Sequence, residues 1–172
     1  MHAANSAGAL AHPDARRSFV RAGIAVYGID PSPQLAGALP LRPALRLRSE
    51  VTLVKRVAAG EGISYGLHHT VERETTVVTV PIGYADGVRR RLGLQGQEVL
   101  VRGRRYPIVG VVTMDQLMVD CGDDAVAVGD EVVLLGLQGD EEITAAEWAE
   151  ALGTIGYEIT CAIGPRVPRR WT

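Results

Sequence analysis

From residue 44 to residue 135 the chain is cut into short apolar runs, each closed by glycine, proline or aspartate. Leu45, Leu47, Val51 and Leu53 alternate with Arg46, Arg48, Glu50 and Thr52, the period of a half-buried strand. Two apolar residues adjoin at Leu53-Val54, so the register slips and a bulge or bend is expected there. Val77 to Ile82, Val99 to Val101, Ile108 to Val112, Leu117 to Val119 and Glu131 to Leu135 read as further strands. Many short strands punctuated by turns predict a mostly-β domain, most simply a barrel. One helix stands out. Thr144-Ala-Ala-Glu147 is a capping box, Ala146, Trp148, Ala149 and Leu152 follow on helical spacing, and Gly153 suits the left-handed stop. A last strand is expected over Tyr157 to Ile163.

The first forty residues read differently. Small residues after Asn5 and Ser6 suit a short helix, with either side chain as its N-cap, and the free N–H groups of such an end attract anions. Phe19 to Ile29 looks like a buried strand turning at Gly23, with Arg21 as its one charged member. Residues 30–43 carry four prolines and form the best candidate for a boundary.

Composition excludes several classes. With 47% apolar and 22% charged residues the chain is globular. A net charge near −2 makes no electrostatic case for nucleic acid or an anionic membrane surface. No apolar run is long enough to span a bilayer, and residues 1–6 have no secretion-signal pattern. Cys121 and Cys161 fit neither a disulfide framework nor metal-ligand spacing, so no metal site is expected and a reducing cytoplasm fits best.

The chemistry-bearing stretch is Gly62-Ile63-Ser64-Tyr65-Gly66. A phenol ordinarily titrates near about 10, so a tyrosine doing proton work at neutral pH needs a cation and a fixed geometry. Most strand-end tyrosines are only packing residues. The basic residues are 17 arginines and one lysine, Lys55, the single candidate for a Schiff base. Lys55 falls at a strand edge, where lysine is normally solvated. Pro81-Ile-Gly-Tyr-Ala-Asp-Gly87 demands a shaped loop, and Arg89, Arg90 and Arg91 follow it. Taken alone, that charge run reads as a solvated face, and Met114 as a core filler.

Taken in order, these segments resemble alanine racemase, a family dependent on pyridoxal 5′-phosphate. The resemblance rests on His2-Ala-Ala-Asn-Ser-Ala7, Arg21-Ala-Gly-Ile24, Tyr27-Gly28, Ser49-Glu50-Val51, Ser64-Tyr65-Gly66 and Pro81–Gly87. It continues through Val109-Gly110, Met114-Asp115-Gln116, Gly129-Asp-Glu-Val132 and Arg166-Val167-Pro168-Arg169. It implies a mostly-β chain: a C-terminal β-barrel-like domain at 41–172, preceded at 1–40 by the last elements of the cofactor-binding (β/α)8 barrel. It also implies that the segment bearing the Schiff-base lysine lies outside these residues, that Lys55 is structural, and that the chain alone is inactive.

The family interconverts L- and D-alanine, a precursor of peptidoglycan, with bases on opposite faces of the cofactor-bound substrate. By this resemblance Tyr65 is the catalytic tyrosine. Arg21 faces the cofactor's pyridine nitrogen with His2 behind it, and Ser6 with the backbone of Gly23 and Ile24 cradles the phosphate. Met114 holds the substrate carboxylate through its backbone, Tyr84 stands at the gate, and Asp115 and Arg90 border the entrance. The implied partner is a second copy in a homodimer, or an N-terminal barrel. Pro165 and Val111 depart from the pattern, standing where many relatives carry a phosphate-contacting tyrosine and some carry an entrance arginine. Two other readings fit the same residues: a non-catalytic dimerisation or binding module, and a racemase for another small amino acid.

Overall fold

The computed structural model describes residues 1–171. Two compact units divide it, Met1–Leu45 and a larger one beginning at Arg46. In the first, Asn5 caps helix α1 (Ser6–Ala11), its side chain accepting the Gly8 N–H at 2.9 Å. The strand expected over Phe19 to Ile29 is absent. Arg21 makes one isolated parallel bridge to Asn5, and Ile24–Tyr27 is a 3-10 turn. Glycines at both ends leave only four residues between them, and of these only Ile24 is buried.

The second unit is built on strands β1 (Leu47–Glu50), β2 (Leu53–Val57), β3 (Gly62–Ile63), β4 (His69–Thr70) and β5 (Thr75–Val80). It continues with β6 (Glu98–Val101), β7 (Arg104–Val109), β8 (Leu117–Asp120), β9 (Glu131–Gln138) and β10 (Glu141–Ile143). Helices α2 (Ala145–Leu152) and α3 (Gly156–Ala162) follow. All strand pairs are antiparallel, in the order β1-β9-β6-β7-β8-β5-β2, with β10 on β9 and β3-β4 as a separate pair.

The sheet is not the closed barrel expected from sequence. Its two outermost strands are nevertheless successive segments of one stretch of chain. Val51 donates its N–H to the Asp130 carbonyl and Thr52 to the Thr79 carbonyl, both at 2.9 Å, so the chain changes partner between them. The expected slip at Leu53-Val54 thus marks a strand that leaves β9 and joins β5. Leu53 faces solvent, against the alternation read from sequence. Strands β5, β6 and β9, rich in valine and leucine, each place runs of consecutive side chains in the core.

Thr144 and Glu147 form the expected capping box, and Gly153 ends α2 in the left-handed conformation. The last expected strand is instead α3. Its β-branched residues suggested a strand, but Gly156–Ala162 is helical and buries Ile159 and Thr160, with Ile163 buried just past its end. No helix of the described residues is long and apolar enough to cross a membrane.

Charged pairs tie down the start of β9. Glu131 accepts from Arg48 at 2.7 Å and from Arg46 at 2.5 Å. The Arg48 hydrogen bond is the chief cause holding its carboxyl below the usual range. Asp130 is also held low, first by the Ala127 N–H and then by Arg102. Carboxylates depressed on folding stabilise above their unfolded pKa, about 4, and that stabilisation is lost as pH falls through the lower folded values. The urea midpoint is therefore expected to hold near neutrality and fall below about pH 4. Glu131→Gln should lower the midpoint at pH 7 and flatten its acid dependence.

Candidate functional site

The second unit opens a cleft of about 600 Å³ lined by Ser64, Tyr65, Tyr84, Arg90, Thr113 and Met114, with Asp115 and Gln116 at the same wall. Tyr65, Tyr84, Arg90, Met114 and Asp115, singled out from sequence, thus converge on one opening from three separate segments.

Close backbone approach makes this possible. Tyr84 donates its N–H to the Thr113 carbonyl at 2.9 Å and Ala85 to the Met114 carbonyl at 3.0 Å, so the two loops dock main chain to main chain. A Cβ on Gly83 would lie 2.3 Å from the Thr113 oxygen and 2.4 Å from that of Met114, so only glycine fits. Asp86 is buried. Its Oδ2 accepts the Gly83 N–H at 3.0 Å, which shapes the turn carrying Tyr84.

Arg166, in the terminal segment, reaches Asp86 at 3.3 Å and Asp115 at 2.6 Å and so ties both loops to the end of the chain. The Asp115 hydrogen bond is the main cause raising its already high pKa. Asp86 and Arg166 stood inside recognised motifs, but nothing local marked Arg166 as the partner of Asp86 and Asp115, since Arg166 and Asp115 are 51 residues apart.

On the other wall, β3 leads into the turn that carries Tyr65, which is 74% exposed. The Ser64 hydroxyl donates to the Val111 carbonyl at 2.8 Å. Val111, the departure expected near the entrance, is only 1% exposed, and it is this carbonyl that meets the Tyr65 turn. Lys55 is solvated as expected, its side chain 64% exposed and 3.5 Å from Glu61.

The first unit gathers the remaining sequence-predicted residues. Ser6 is 3% exposed, and its Oγ accepts N–H groups from Gly23 at 2.9 Å and Ala25 at 3.4 Å. That leaves the hydroxyl proton to donate. The intervening N–H, of buried Ile24, meets no acceptor among the described residues. A buried N–H without a partner among the described residues, beside a hydroxyl with its proton to give, is a donor set for an anion. Arg21 is exposed and uses one guanidinium nitrogen on the Ala3 carbonyl at 3.1 Å, leaving others free. No hydrogen bond joins His2 to Arg21 among the described residues. The His2 ring lies instead against Phe19, with centroids 4.7 Å apart. Stacking on the neighbouring aromatic ring competes successfully with a polar contact on an exposed segment.

Gly83→Ala should lower stability by about 2 kcal/mol, the usual scale of overpacking against unyielding backbone. Urea unfolding of the chain measures this, and the cleft-facing tyrosine signals should shift with it.

The geometry can be set beside known proteins. The family model "Alanine racemase, C-terminal domain" matches residues 44–171. The alanine racemase of Symbiobacterium thermophilum is 56% identical over 98% of this chain and 45% of its own length. That of Cutibacterium acnes is 54% identical over 99% of this chain and again 45% of its own. The chain thus spans less than half of these relatives. The crystal structure of alanine racemase from E. faecalis superposes with a TM-score of 0.93 at 50% identity, covering 99% of this chain and 46% of that one. The Bacillus anthracis enzyme with bound L-Ala-P gives 0.90 at 49% identity, covering 96% and 43%. On the family match and these identities, the chain belongs to the alanine racemase family and corresponds to the C-terminal part of its members.

Proposed function

We propose that this chain supplies the C-terminal portion of an enzyme that interconverts L- and D-alanine with pyridoxal 5′-phosphate, providing D-alanine for the cell wall in the cytoplasm. The observation that carries the reading is the convergence of Tyr65, Tyr84, Arg90, Met114 and Asp115 on one cleft. On this reading residues 1–40 finish a cofactor-binding (β/α)8 barrel and residues 41–172 are the β domain. Each β domain of a homodimer would complete the site of its partner.

The donor set of the first unit fits the cofactor's phosphate. The Ser6 hydroxyl and the free Ile24 N–H would hold it, with Gly23 fixing Ser6. The free nitrogens of Arg21 suit the pyridine nitrogen. Arginine keeps its proton, so it would leave that nitrogen largely unprotonated. When bound, the cofactor stabilises the electron pair left on the substrate's α-carbon.

This chain's own groups do the rest. The Tyr65 oxygen takes or returns the α-proton on one face of the substrate. Arg90, lining the same cleft, supplies positive charge at its wall. The Met114 backbone orients the substrate carboxylate. Tyr84, with Asp115 and Arg90, narrows the mouth to small substrates. The opposing base on the other face would be a lysine, and Lys55 does not serve. It lies on β2, solvated and paired with Glu61.

Two measurements test the reading. The 172-residue polypeptide, given pyridoxal phosphate and L-alanine, should form no D-alanine above the rate of the cofactor alone. Turnover at an enzyme-like rate would contradict it. In the holoenzyme containing this chain, Tyr65→Phe should cut kcat by about 100-fold or more, the usual scale for a lost acid–base group, with a smaller effect on KM. Retained kcat would remove Tyr65 from its role.

A further inference from the structure

The turn presenting Tyr65 is strained. Among the described residues only Ser64, Leu67 and Arg102 combine a side chain with a left-handed φ, and the first two flank Tyr65. Ser64 has φ 64° and ψ −178°, a combination that is essentially the preserve of glycine. A glycine there would reach it freely, yet serine occupies the position.

What serine adds is a hydroxyl, and it is used. Oγ donates to the Val111 carbonyl at 2.8 Å, across 47 residues of sequence. Its Cβ packs where Gly110 leaves room, since a Cβ on Gly110 would come within 2.8 Å of it and of the Ile63 oxygen. Leu67 closes the turn from the other end, donating its N–H to the Ser64 carbonyl at 3.3 Å and lying against Gly62. Tyr65 is 74% exposed, so its own packing fixes its direction weakly. The direction is set by the backbone before it.

We infer that Ser64 is a positioning residue for Tyr65. Its hydroxyl anchors a strained turn to the Val111 carbonyl, and this anchor aims the phenol into the cleft. The catalytic consequence rests on the reading of Tyr65 as a proton carrier, whereas the anchoring itself does not.

The first arm of the test needs neither cofactor nor activity. The chain is labelled with 13Cζ-tyrosine, which gives five signals, assigned by single Tyr→Phe changes. In Ser64→Ala the Tyr65 signal should move toward that of free tyrosine and sharpen, while Tyr106, hydrogen-bonded to Asp124, stays in place and reports an intact fold. Ser64→Gly adopts the same backbone without strain and also lacks the hydroxyl, so it should show the same shift even if the alanine variant folds poorly. An unmoved Tyr65 signal in a folded variant overturns the anchor.

The second arm uses the holoenzyme and substrate deuterated at the α-carbon. Ser64→Ala should lower kcat about 10- to 100-fold, as a misplaced catalytic group does, with KM within about twofold. The deuterium isotope effect should rise only with the enantiomer whose α-proton passes to Tyr65. Unchanged isotope effects in Ser64→Ala, where Tyr65→Phe alters them, defeat the positioning role. Unchanged effects in Tyr65→Phe itself defeat the proton-carrier reading and leave the anchor to be decided by the first arm.

Discussion

Two backbone hydrogen bonds, from Tyr84 to Thr113 and from Ala85 to Met114, hold the cleft together. They join loops that leave the sheet after β5 and before β8, two strands that pair directly with each other. Pairing brings the loops to one end of the sheet, and the absence of a side chain at Gly83 lets their main chains touch. Asp86 and Arg166 then secure the arrangement with charge from the terminal segment. The chemistry-bearing side chains are spared that work. Tyr65, Tyr84 and Met114 are exposed because backbone and neighbours, not their own burial, position them.

A site built this way is open by construction. Exposed phenols and a thioether at the lip of a cleft would be costly surface in a finished monomeric site, but they suit a wall that another polypeptide faces. The first unit carries the complementary kind of feature, a buried N–H without a partner among the described residues, beside the Ser6 hydroxyl. Each unit therefore holds unsatisfied chemistry of a different type. One offers donors for an anion, and the other an acid–base group and a substrate-sized opening. The proposed dimeric racemase uses both.

Much of this was legible in the sequence, for identifiable reasons. The β5 and β9 segments are β-branched and bounded by turn residues, so their state follows from local preference. The capping box of α2 is likewise local. The cleft residues were legible only through the ordered motifs, since no local rule separates Tyr65 from a packing tyrosine or Met114 from a core filler. Elements decided by distant contacts were misread. The residues of α3 prefer strand locally, yet the segment is helical and buries Ile159 and Thr160. The sheet stays open because β1 pairs with β9 and β2 with β5 but not with each other, a property of the whole pairing scheme. The Ser64 anchor and the Arg166 bridge span 47 and 51 residues, and no spacing rule reaches that far.

The central claim is that the β unit preforms its half of the site without any partner. Amide hydrogen exchange in the chain by itself tests this most directly at Tyr84 and Ala85. Both N–H groups should exchange as slowly as interior amides of β5, because they are hydrogen-bonded to Thr113 and Met114. Exchange at the rate of an unstructured loop would mean that the cleft forms only when something else binds it.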